Sequence, residues 1–276
     1  MMPKFLKILV ICLFIVLKAN ISYSQDQHNK GSLYFYWGWN QARYTHSDIR
    51  FFGNDYDFTL KQVVAKERQT PFDVKVYFNP QTITIPQVNY RIGYFLNDHY
   101  DISIGVDHMK YIMVQNQSVP IKGYLKVAGS KFDGVYNGEN IVLTEDFLTF
   151  EHTDGLNYVN FEVNRFDKIA DLSKWSIKNV AINLTEGVSV GALLPRTNTK
   201  LLDNTRYDQF HLAGYGMAAK VGLNVSIYKH FFIQSDLKGG FINMPDIRTT
   251  EFTSDRAAQH FFFVQANILF GLKFHI

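Results

Sequence analysis

Cysteine, proline and long apolar runs are all scarce in this sequence. Cys12 is the only cysteine, the 276 residues include 7 prolines and 18 glycines, and the longest apolar run spans the ten residues 8–17. One cysteine cannot staple a disulfide-rich mini-domain, the glycine and proline counts are ordinary, and a membrane-spanning helix needs about 20 apolar residues. Disulfide scaffolds, collagen-like fibres and helical membrane proteins are therefore excluded.

A large charge of one sign is lacking as well. The formal net charge is +3 and 16% of the residues are aromatic, whereas intrinsically disordered chains combine a high net charge with few aromatics. Nucleic-acid binding has no support, because no basic stripe is present. The remaining classes are a globular protein of one or two domains and a β-barrel whose amphipathic strands average to a near-neutral hydropathy.

The first 24 residues have the pattern of a secretory signal peptide. Lys4 and Lys7 precede the apolar run, and the small residues Ser22 and Ser24 stand at a cleavage site before Gln25. Cleavage would remove Cys12 and three lysines but no acid, so the 28 basic residues of the whole chain would fall to equal the 25 acidic ones. We therefore predict export through a cleaved signal peptide, 1–24, and a mature chain, 25–276, with balanced charge.

Apolar residues alternate with small or polar ones along most of the mature chain. Alternating side chains point to opposite faces of a strand, so this period of two predicts an apolar face and a polar face. The clearest apolar face comprises Ala213, Tyr215, Met217, Ala219, Val221, Leu223, Val225 and Ile227. The same period predicts eight strands, near 32–42, 85–96, 100–112, 156–166, 180–194, 211–227, 230–243 and 262–276.

The connections between these strands alternate between long and short. Residues 97–99 and 228–230 are short turns, whereas 43–84 and 113–155 are long connections. Outer-membrane barrels have short periplasmic turns and long extracellular loops. The prediction is an all-β, eight-stranded, antiparallel up-and-down transmembrane β-barrel with long extracellular loops near 43–84 and 113–155. Ten strands result if parts of 55–65 and 120–150 extend the sheet.

Two other all-β folds compete with the transmembrane barrel. A lipocalin-like barrel places the apolar faces inside, and a secreted β-sandwich buries them between two sheets. An apolar final strand at the edge of a soluble sheet would promote aggregation, whereas a closed transmembrane barrel has no edge. The sequence therefore favours a monomeric barrel in the lipid of the bacterial outer membrane.

Charged residues on the polar faces of the strands would point into the lumen of such a barrel. Eight strands leave an interior just wide enough to be filled by side chains, and isolated charges there would be costly. We therefore predict a network of interior ion pairs and no open pore. Its members are Arg91, Asp101, Asp107, Glu162, Lys220, Asp236, Lys238 and Lys273.

Catalytic motifs are weak. Residues 187–191 match the G-x-S-x-G nucleophile elbow, but the alternation continues through Val188 and Val190 without a following helix, so Ser189 is predicted to be a small inward-facing residue. Outer-membrane deacylases of lipid A carry His-x-Ser on one strand, and no histidine here has serine at that spacing. A hydrolase assembled from separate strands stays open as an alternative.

Acidic residues gather in the two predicted loops. Calcium prefers several oxygen ligands, yet no loop of the D-x-D-x-D-G type is present, so solvated charge is the favoured interpretation. The sequence predicts neither a metal nor another cofactor. The acids are Asp48, Asp55 and Asp57 in the first loop and Asp133, Glu139, Glu145, Asp146, Glu151 and Asp154 in the second.

Five stretches carry a resemblance to known proteins. They are residues 35–40 (FYWGWN), 47–49 (SDI), 53–60 (GNDYDFTL), 105–111 (GVDHMKY) and 150–158 (FEHTDGLNY). With these stretches, most of the mature chain resembles a family of outer-membrane β-barrel proteins from Bacteroidetes, especially flavobacteria. The resemblance implies the fold and the location, and it transfers no catalytic residue.

The sequence favours a structural or surface-interaction role for this chain. Its loops would contact lipopolysaccharide or an external partner, and aromatic residues near the strand ends would form interfacial girdles, with a sugar-stacking platform as the alternative. An outer-leaflet lipid A hydrolase and a small, porin-like passive channel are the competing functions.

Overall fold

The computed structural model describes residues 29–79, 82, 85–172, 179–202, 207, 209–228 and 230–276. The predicted signal peptide, 1–24, lies outside this part of the chain. No helix of the described ranges is both long and apolar enough to cross a bilayer. The elements are β1 (Ser32–Tyr44), β2 (Ser47–Phe52), β3 (Tyr56–Val63), β4 (Ala65–Lys66), α1 (Val74–Tyr77), β5 (Val88–Phe95), β6 (Tyr100–Met113), β7 (Ser118–Leu125), β8 (Gly134–Val142), β9 (Leu148–Asp171), β10 (Val180–Pro195), β11 (Asn198–Leu201), β12 (Gly214–Ile227), β13 (Phe231–Arg248) and β14 (Arg256–His275).

Eight of the strands form a closed ring. Around the ring they follow the order β1, β5, β6, β9, β10, β12, β13 and β14, and neighbouring strands are antiparallel. The first and last strands close it through a ladder from Ser32 opposite His275 to Tyr44 opposite Phe263. These are the eight strands that the alternation predicts, which confirms the all-β, eight-stranded antiparallel barrel.

Further strands extend the sheet beyond one end of the ring. After β1 ends at Tyr44, β2 takes its place beside β14, and β3, β7 and β8 follow in order. The short strands β4 and β11 pair with β6 and β9. We call these added strands, with the ends of the ring strands that they join, the cap. Parts of 55–65 and 120–150 therefore extend the sheet, but they lie outside the ring, which keeps eight strands.

The short turns lie at the end of the ring opposite the cap, which we call the short-turn end. Residues 96–99 join β5 to β6 there. The chain also enters β1 and leaves β14 at this end, where Gly31 N–H donates to the Phe95 carbonyl at 3.1 Å and Ile276 N–H donates to the Gly31 carbonyl at 3.0 Å. The barrel thus has short turns and both strand termini at one end, and the cap at the other.

Outward-facing side chains form an apolar belt around the ring. Val188 and Ile104 are 61% and 56% exposed on this outer surface. A row of seven alternate residues on a tilted strand is roughly 25–30 Å tall, which matches the hydrocarbon thickness that a transmembrane barrel spans. The apolar faces therefore point outward, which excludes the lipocalin-like arrangement. On β14 the row is Phe262, Val264, Ala266, Ile268, Phe270, Leu272 and Phe274.

Side chains fill the interior in three layers. Near the short-turn end, a small apolar cluster comprises Tyr34, Tyr36, Phe95, Phe232 and Leu269. Buried polar and charged side chains follow in the middle of the ring. The cap holds a much larger apolar core, to which β2, β3, β6, β7 and β9 all contribute. Polar groups are thus enclosed between two apolar layers.

Candidate functional site

Glu162 on β9 lies at the centre of a buried group of ion pairs in the middle layer. Its Oε1 lies 3.1 Å from Arg91 Nη2 and 2.6 Å from Lys238 Nζ. Its Oε2 lies 2.8 Å from Lys220 Nζ. All four side chains are at most 4% exposed, so one carboxylate interacts with three cations away from bulk water.

Two aspartates complete this group. Lys220 Nζ lies 3.6 Å from Asp236 Oδ2, and Lys238 Nζ lies 2.5 Å from Asp107 Oδ2. Three acids therefore face three bases, which matters because a buried charge is strongly destabilising unless it is paired. We call these six residues the ion cluster: Arg91, Asp107, Glu162, Lys220, Asp236 and Lys238.

Neutral acceptors receive three further hydrogen bonds from Arg91. Its Nε donates to Tyr36 Oη at 2.9 Å, Nη1 to Ser103 Oγ at 3.2 Å and Nη2 to Asn160 Oδ1 at 2.5 Å. A guanidinium has five N–H groups in a fixed plane, so partners on several strands hold it in one orientation. The ion cluster is therefore a positioned network rather than a mobile set of charges.

The other two residues predicted for the interior network lie outside the ion cluster. Asp101 accepts hydrogen bonds from Tyr34 Oη at 3.2 Å and from Asn164 Nδ2 at 2.8 Å. Lys273 Nζ donates to Asn29 Oδ1 at 2.8 Å near the short-turn end. The alternation places side chains on a face, but the height of each residue along the barrel decides which of them meet.

The lumen leaves little free space around the ion cluster. A cavity of about 20 Å³ lies on its short-turn side, lined in part by Tyr34, Tyr36, Phe95 and Lys220. A volume of this size holds about one water molecule. On the other side Tyr158 Oη donates to the Gly216 carbonyl at 3.1 Å beneath the core of the cap. In the described part of the chain, the path along the axis is occupied by side chains.

A second buried polar group lies inside the cap. Gln259 Nε2 donates to Ser47 Oγ at 2.8 Å and to Tyr111 Oη at 2.5 Å. His152 Nδ1 faces Thr197 Oγ1 at 2.9 Å, and the His152 ring lies 5.6 Å from the Tyr111 ring. These side chains come from five different parts of the sequence, so no local motif could have predicted their contact.

His152 makes the stability of the cap depend on pH. Burial lowers the pKa of His152 to about 3, whereas an exposed histidine titrates near 6.5. The unfolded cap therefore binds a proton between these values and the folded cap does not, so stability is complete above about pH 6.5 and falls as the pH drops toward 3. We expect the free energy of cap opening to fall by up to about 2.7 kcal/mol between pH 7 and pH 4.5.

Hydrogen exchange of cap amides in detergent, corrected for the intrinsic pH dependence, measures this effect. His152→Gln keeps a group that hydrogen-bonds to Thr197 and removes the titration, so its protection should be nearly constant over this range. A wild-type slope that persists in His152→Gln would assign the pH dependence to another group.

A recess of about 680 Å³ opens at the tip of the cap. It lies between the β2–β3 turn, the β7–β8 connection and the β13–β14 connection. Aromatic and charged side chains line it together, which is typical of sites that bind polar ligands with flat apolar faces. The main lining residues are Tyr56, Lys126, Lys131, Phe132, Asp146, Phe252 and Asp255.

Ion pairing and burial both shape the electrostatics of the recess. Lys131 Nζ lies 2.6 Å from Asp146 Oδ2, and the hydrogen bonds from Lys131 and Thr144 lower the pKa of Asp146 to about 2. Burial, followed by the nearby Asp255 carboxylate, raises the pKa of Tyr56 to about 12. At neutral pH the Tyr56 phenol therefore keeps its proton, while the Asp146 carboxylate, another lining group, is ionised.

Several loop acids that could have suggested calcium are paired with cations. Asp48 lies 2.7 Å from Lys61 Nζ, and Asp57 lies 2.6 Å from Arg50 Nη2. Glu151 lies 3.3 Å from Arg68 and Asp154 lies 3.7 Å from Arg196. Among the described residues no group of three or more histidine, cysteine or acidic side chains is arranged to hold a metal.

Ser189 and the histidines His152 and His211 do not form a nucleophile and base pair. Ser189 lies on β10 inside the ring, 3.3 Å from Tyr158 Oη. His211 Nε2 faces Asp246 Oδ2 at 2.9 Å near the cap. Within the ranges that the structure covers, no serine hydroxyl lies within hydrogen-bonding distance of the His152 or His211 ring.

The similarities of this chain to known proteins are weak. No family model matches the sequence, and no curated protein is similar to it. Solved structures similar to the chain include the outer membrane protein OprG from Pseudomonas aeruginosa (10% identity, 90% of this chain and 98% of that chain, TM-score 0.42). Ail, the attachment invasion locus protein of Yersinia pestis, matches at 10% identity over 89% and 99% with a TM-score of 0.32. Neisserial surface protein A matches at 9% identity over 86% and 98%, with a TM-score of 0.29. Such low scores carry no functional argument, so the barrel assignment depends on the closed ring and its apolar belt.

Proposed function

We propose that this chain is a bacterial outer-membrane barrel whose cap is a recognition module at the cell surface. The short-turn end would face the periplasm and the cap the exterior, which is the usual orientation of this class. The origin in Bacteroidetes and the export signal at 1–24 belong to the same proposal, and they rest on the sequence alone.

The cap is the observation that supports a recognition role. A barrel that only strengthens the membrane needs strands no taller than the apolar belt. Here the chain continues into added strands with an apolar core of their own, in which Phe51, Phe58 and Phe150 are at most 1% exposed. That core holds the walls of a 680 Å³ recess in place.

The chemistry of the recess favours a saccharide ligand. Phe252 is 62% exposed and offers a ring face on which a sugar can stack, while Lys126 and Asp55 provide a donor and an acceptor. The saccharide part of lipopolysaccharide lies at this height above the bilayer. We therefore propose a cell-surface glycan, lipopolysaccharide oligosaccharide first, as the external partner.

Calorimetric titration of core oligosaccharide into the nanodisc-embedded protein tests this function. We expect saturable binding that weakens up to about tenfold in Phe252→Ala, because loss of an aromatic contact costs about 0.5–1.5 kcal/mol. Lys122→Ala changes an exposed cap residue outside the recess and should leave binding unchanged. Absence of binding by the wild type, or equal loss in both variants, would contradict the proposal.

The two competing functions have less support. A passive channel requires a path that the ion cluster and Tyr158 occupy, and planar-bilayer recordings should show no sustained conductance. A lipid A hydrolase requires a nucleophile near the lipid, whereas Thr197 beside His152 is 4% exposed within the cap. Mass spectrometry of lipid A from cells with and without the protein would reveal a lost or gained acyl chain.

A further inference from the structure

Residues 67–79 cross the outer surface of the barrel wall instead of joining the cap. We call this segment, which contains α1, the strap. Its aromatic side chains pack on two tryptophans of the belt: the Phe78 ring lies 5.4 Å from Trp39 and 6.4 Å from Trp37, and the Tyr77 ring lies 5.5 Å from Trp39. Val88 of β5 has the parity of the outward-facing residues, yet it is only 1% exposed.

The register of the ring gives the height of this contact. Trp39 pairs with Ile268 and Trp37 pairs with Phe270 on β14. Ile268 is the fourth of the seven outward residues on that strand, so it marks the middle of the apolar belt. The strap therefore descends from the cap to about the middle of the belt, where a transmembrane barrel is surrounded by acyl chains.

Part of the strap backbone is paired by nearby side chains, which lowers the cost of placing it in lipid. The Asp73 carboxylate accepts from Lys75 N–H at 2.8 Å, and Tyr77 Oη donates to the Thr70 carbonyl at 2.6 Å. Thr82 Oγ1 donates to the Val76 carbonyl at 2.9 Å. These bonds replace the partners that water would supply to a surface loop.

Side chains of the strap also close the wall where two ring strands separate. The β1–β5 ladder ends at Trp39 opposite Val88, so the next part of β1 keeps β14 on one side but has no β5 residue paired on the other. The Glu67 carboxylate accepts from Ala42 N–H and, at 2.8 Å, from Gln87 Nε2. The strap is thus fixed to the barrel by polar contacts at its start and by aromatic contacts near its end.

The side of the strap away from the barrel exposes three large apolar side chains, together with the charged Asp73 and Lys75. Phe72, Val74 and Phe78 are 70%, 61% and 58% exposed. Lys75 can extend its ammonium toward the head groups while its stem stays in apolar surroundings. We infer that the strap is immersed in the bilayer, with these three side chains in contact with the acyl chains of the leaflet on the cap side.

Site-specific labelling tests this inference directly, because Cys12→Ser leaves the full chain without cysteine. Val74→Cys and, separately, Phe72→Cys would carry an environment-sensitive fluorophore in phosphatidylcholine vesicles containing lipid with a nitroxide on its acyl chain. Ile104→Cys in the belt is the control for lipid, and Val135→Cys, 73% exposed in the cap, is the control for water. Heat-modifiable migration confirms that each labelled protein is folded.

We expect both strap probes to show blue-shifted emission and nitroxide quenching close to those at Ile104, and severalfold more quenching than at Val135. Red-shifted emission without quenching, as at Val135, would place the strap in water and overturn the inference. Blue-shifted emission without quenching would indicate cover by protein, such as a second copy of the chain, and would also overturn it. If Ile104 itself reported water, the membrane assignment of the whole barrel would be wrong.

Discussion

Replacing Glu162 with glutamine is expected to lower the free energy of unfolding of the barrel by about 3–5 kcal/mol, because removing one partner leaves buried charges without compensation. Glu162 interacts with Arg91, Lys220 and Lys238, so its loss leaves three cations opposite two aspartates. Urea titration in detergent, followed by heat-modifiable migration, measures the change. Glu186→Gln is a matched control, since Glu186 has the parity of the outward-facing Val188 on β10.

The excess charge, rather than the lost volume, is the expected cause of this effect. Glu162 is the ion-pair partner that the structure shows for Arg91 within the ion cluster. A double variant, Glu162→Gln with Arg91→Met, restores equal numbers of acids and bases, and it should be more stable than the sum of the two single changes predicts. Additive losses in this cycle would show that the two charges do not stabilise each other.

Replacing Phe58 with alanine is expected to destabilise the cap by about 3–5 kcal/mol, since a fully buried phenylalanine leaves a cavity when it is truncated. The Phe58 ring stacks on Phe51 at 5.4 Å and lies 6.0 Å from Phe147. Hydrogen exchange should increase in β2, β3 and β7, while the belt strands keep their protection. Phe52→Ala changes the same residue type at an outward-facing, half-buried position of the neighbouring strand, and it should have little effect.

The cap and the ring are stabilised by different interactions. Hydrogen exchange in the cap and belt strands of Phe58→Ala tests this difference. Ring strands in a bilayer keep every backbone hydrogen bond because lipid offers no alternative partner. Cap strands lie beyond the belt and depend on apolar burial in water. If Phe58→Ala increased hydrogen exchange in the belt strands as well as in β2 and β3, the cap and the ring would unfold as a single cooperative unit.

The ring was predictable from the sequence because the bilayer imposes a simple rule on it. Each ring strand must present apolar side chains outward over the whole belt, so Ile104, Val188 and their neighbours repeat with a period of two for ten or more residues. The closing pair of β1 with β14 then follows from an even number of strands in a closed barrel. Because the bilayer is apolar over the full height of the belt, the alternation extends over the full length of each ring strand in it.

The cap obeys no such rule, and its pairing was not predictable. Tyr56 of β3 pairs with Leu125 of β7. The side chain of Ser47 is hydrogen-bonded to that of Gln259, 212 residues later in the sequence. Its strands are short, and a period of two over six to nine residues does not identify a partner. The resemblance to known barrels in residues 53–60 and 150–158 marked segments of the cap without indicating that they share one core.

The ion cluster was partly predictable from the sequence. Alternation identified charged residues of the inward face, and the structure brings six of them together. The alternation did not distinguish Lys273, which lies near the short-turn end, from Lys238 of the ion cluster, because both side chains are on the inward face. Contacts across the lumen depend on the stagger between strands, and a single strand contains no record of that stagger.

Two long ring strands, β9 and β14, continue into the cap without a break, and this has a mechanical consequence. β9 has 24 residues and β14 has 20, so each is long enough to cross the belt and form part of the walls around the cap core. Residues 148–165 of β9 lie on the cap side of Arg165, which pairs with the first residue of β6. At about 3.3 Å per residue and a tilt near 45°, they reach roughly 15–20 Å beyond a 25 Å belt. A pulling force on a ligand in the recess would be carried along continuous covalent chains into the ring, where the ladders resist it in shear. Under the proposed function, such a force would pass from the cap to the ring through these strands, without an intervening hinge.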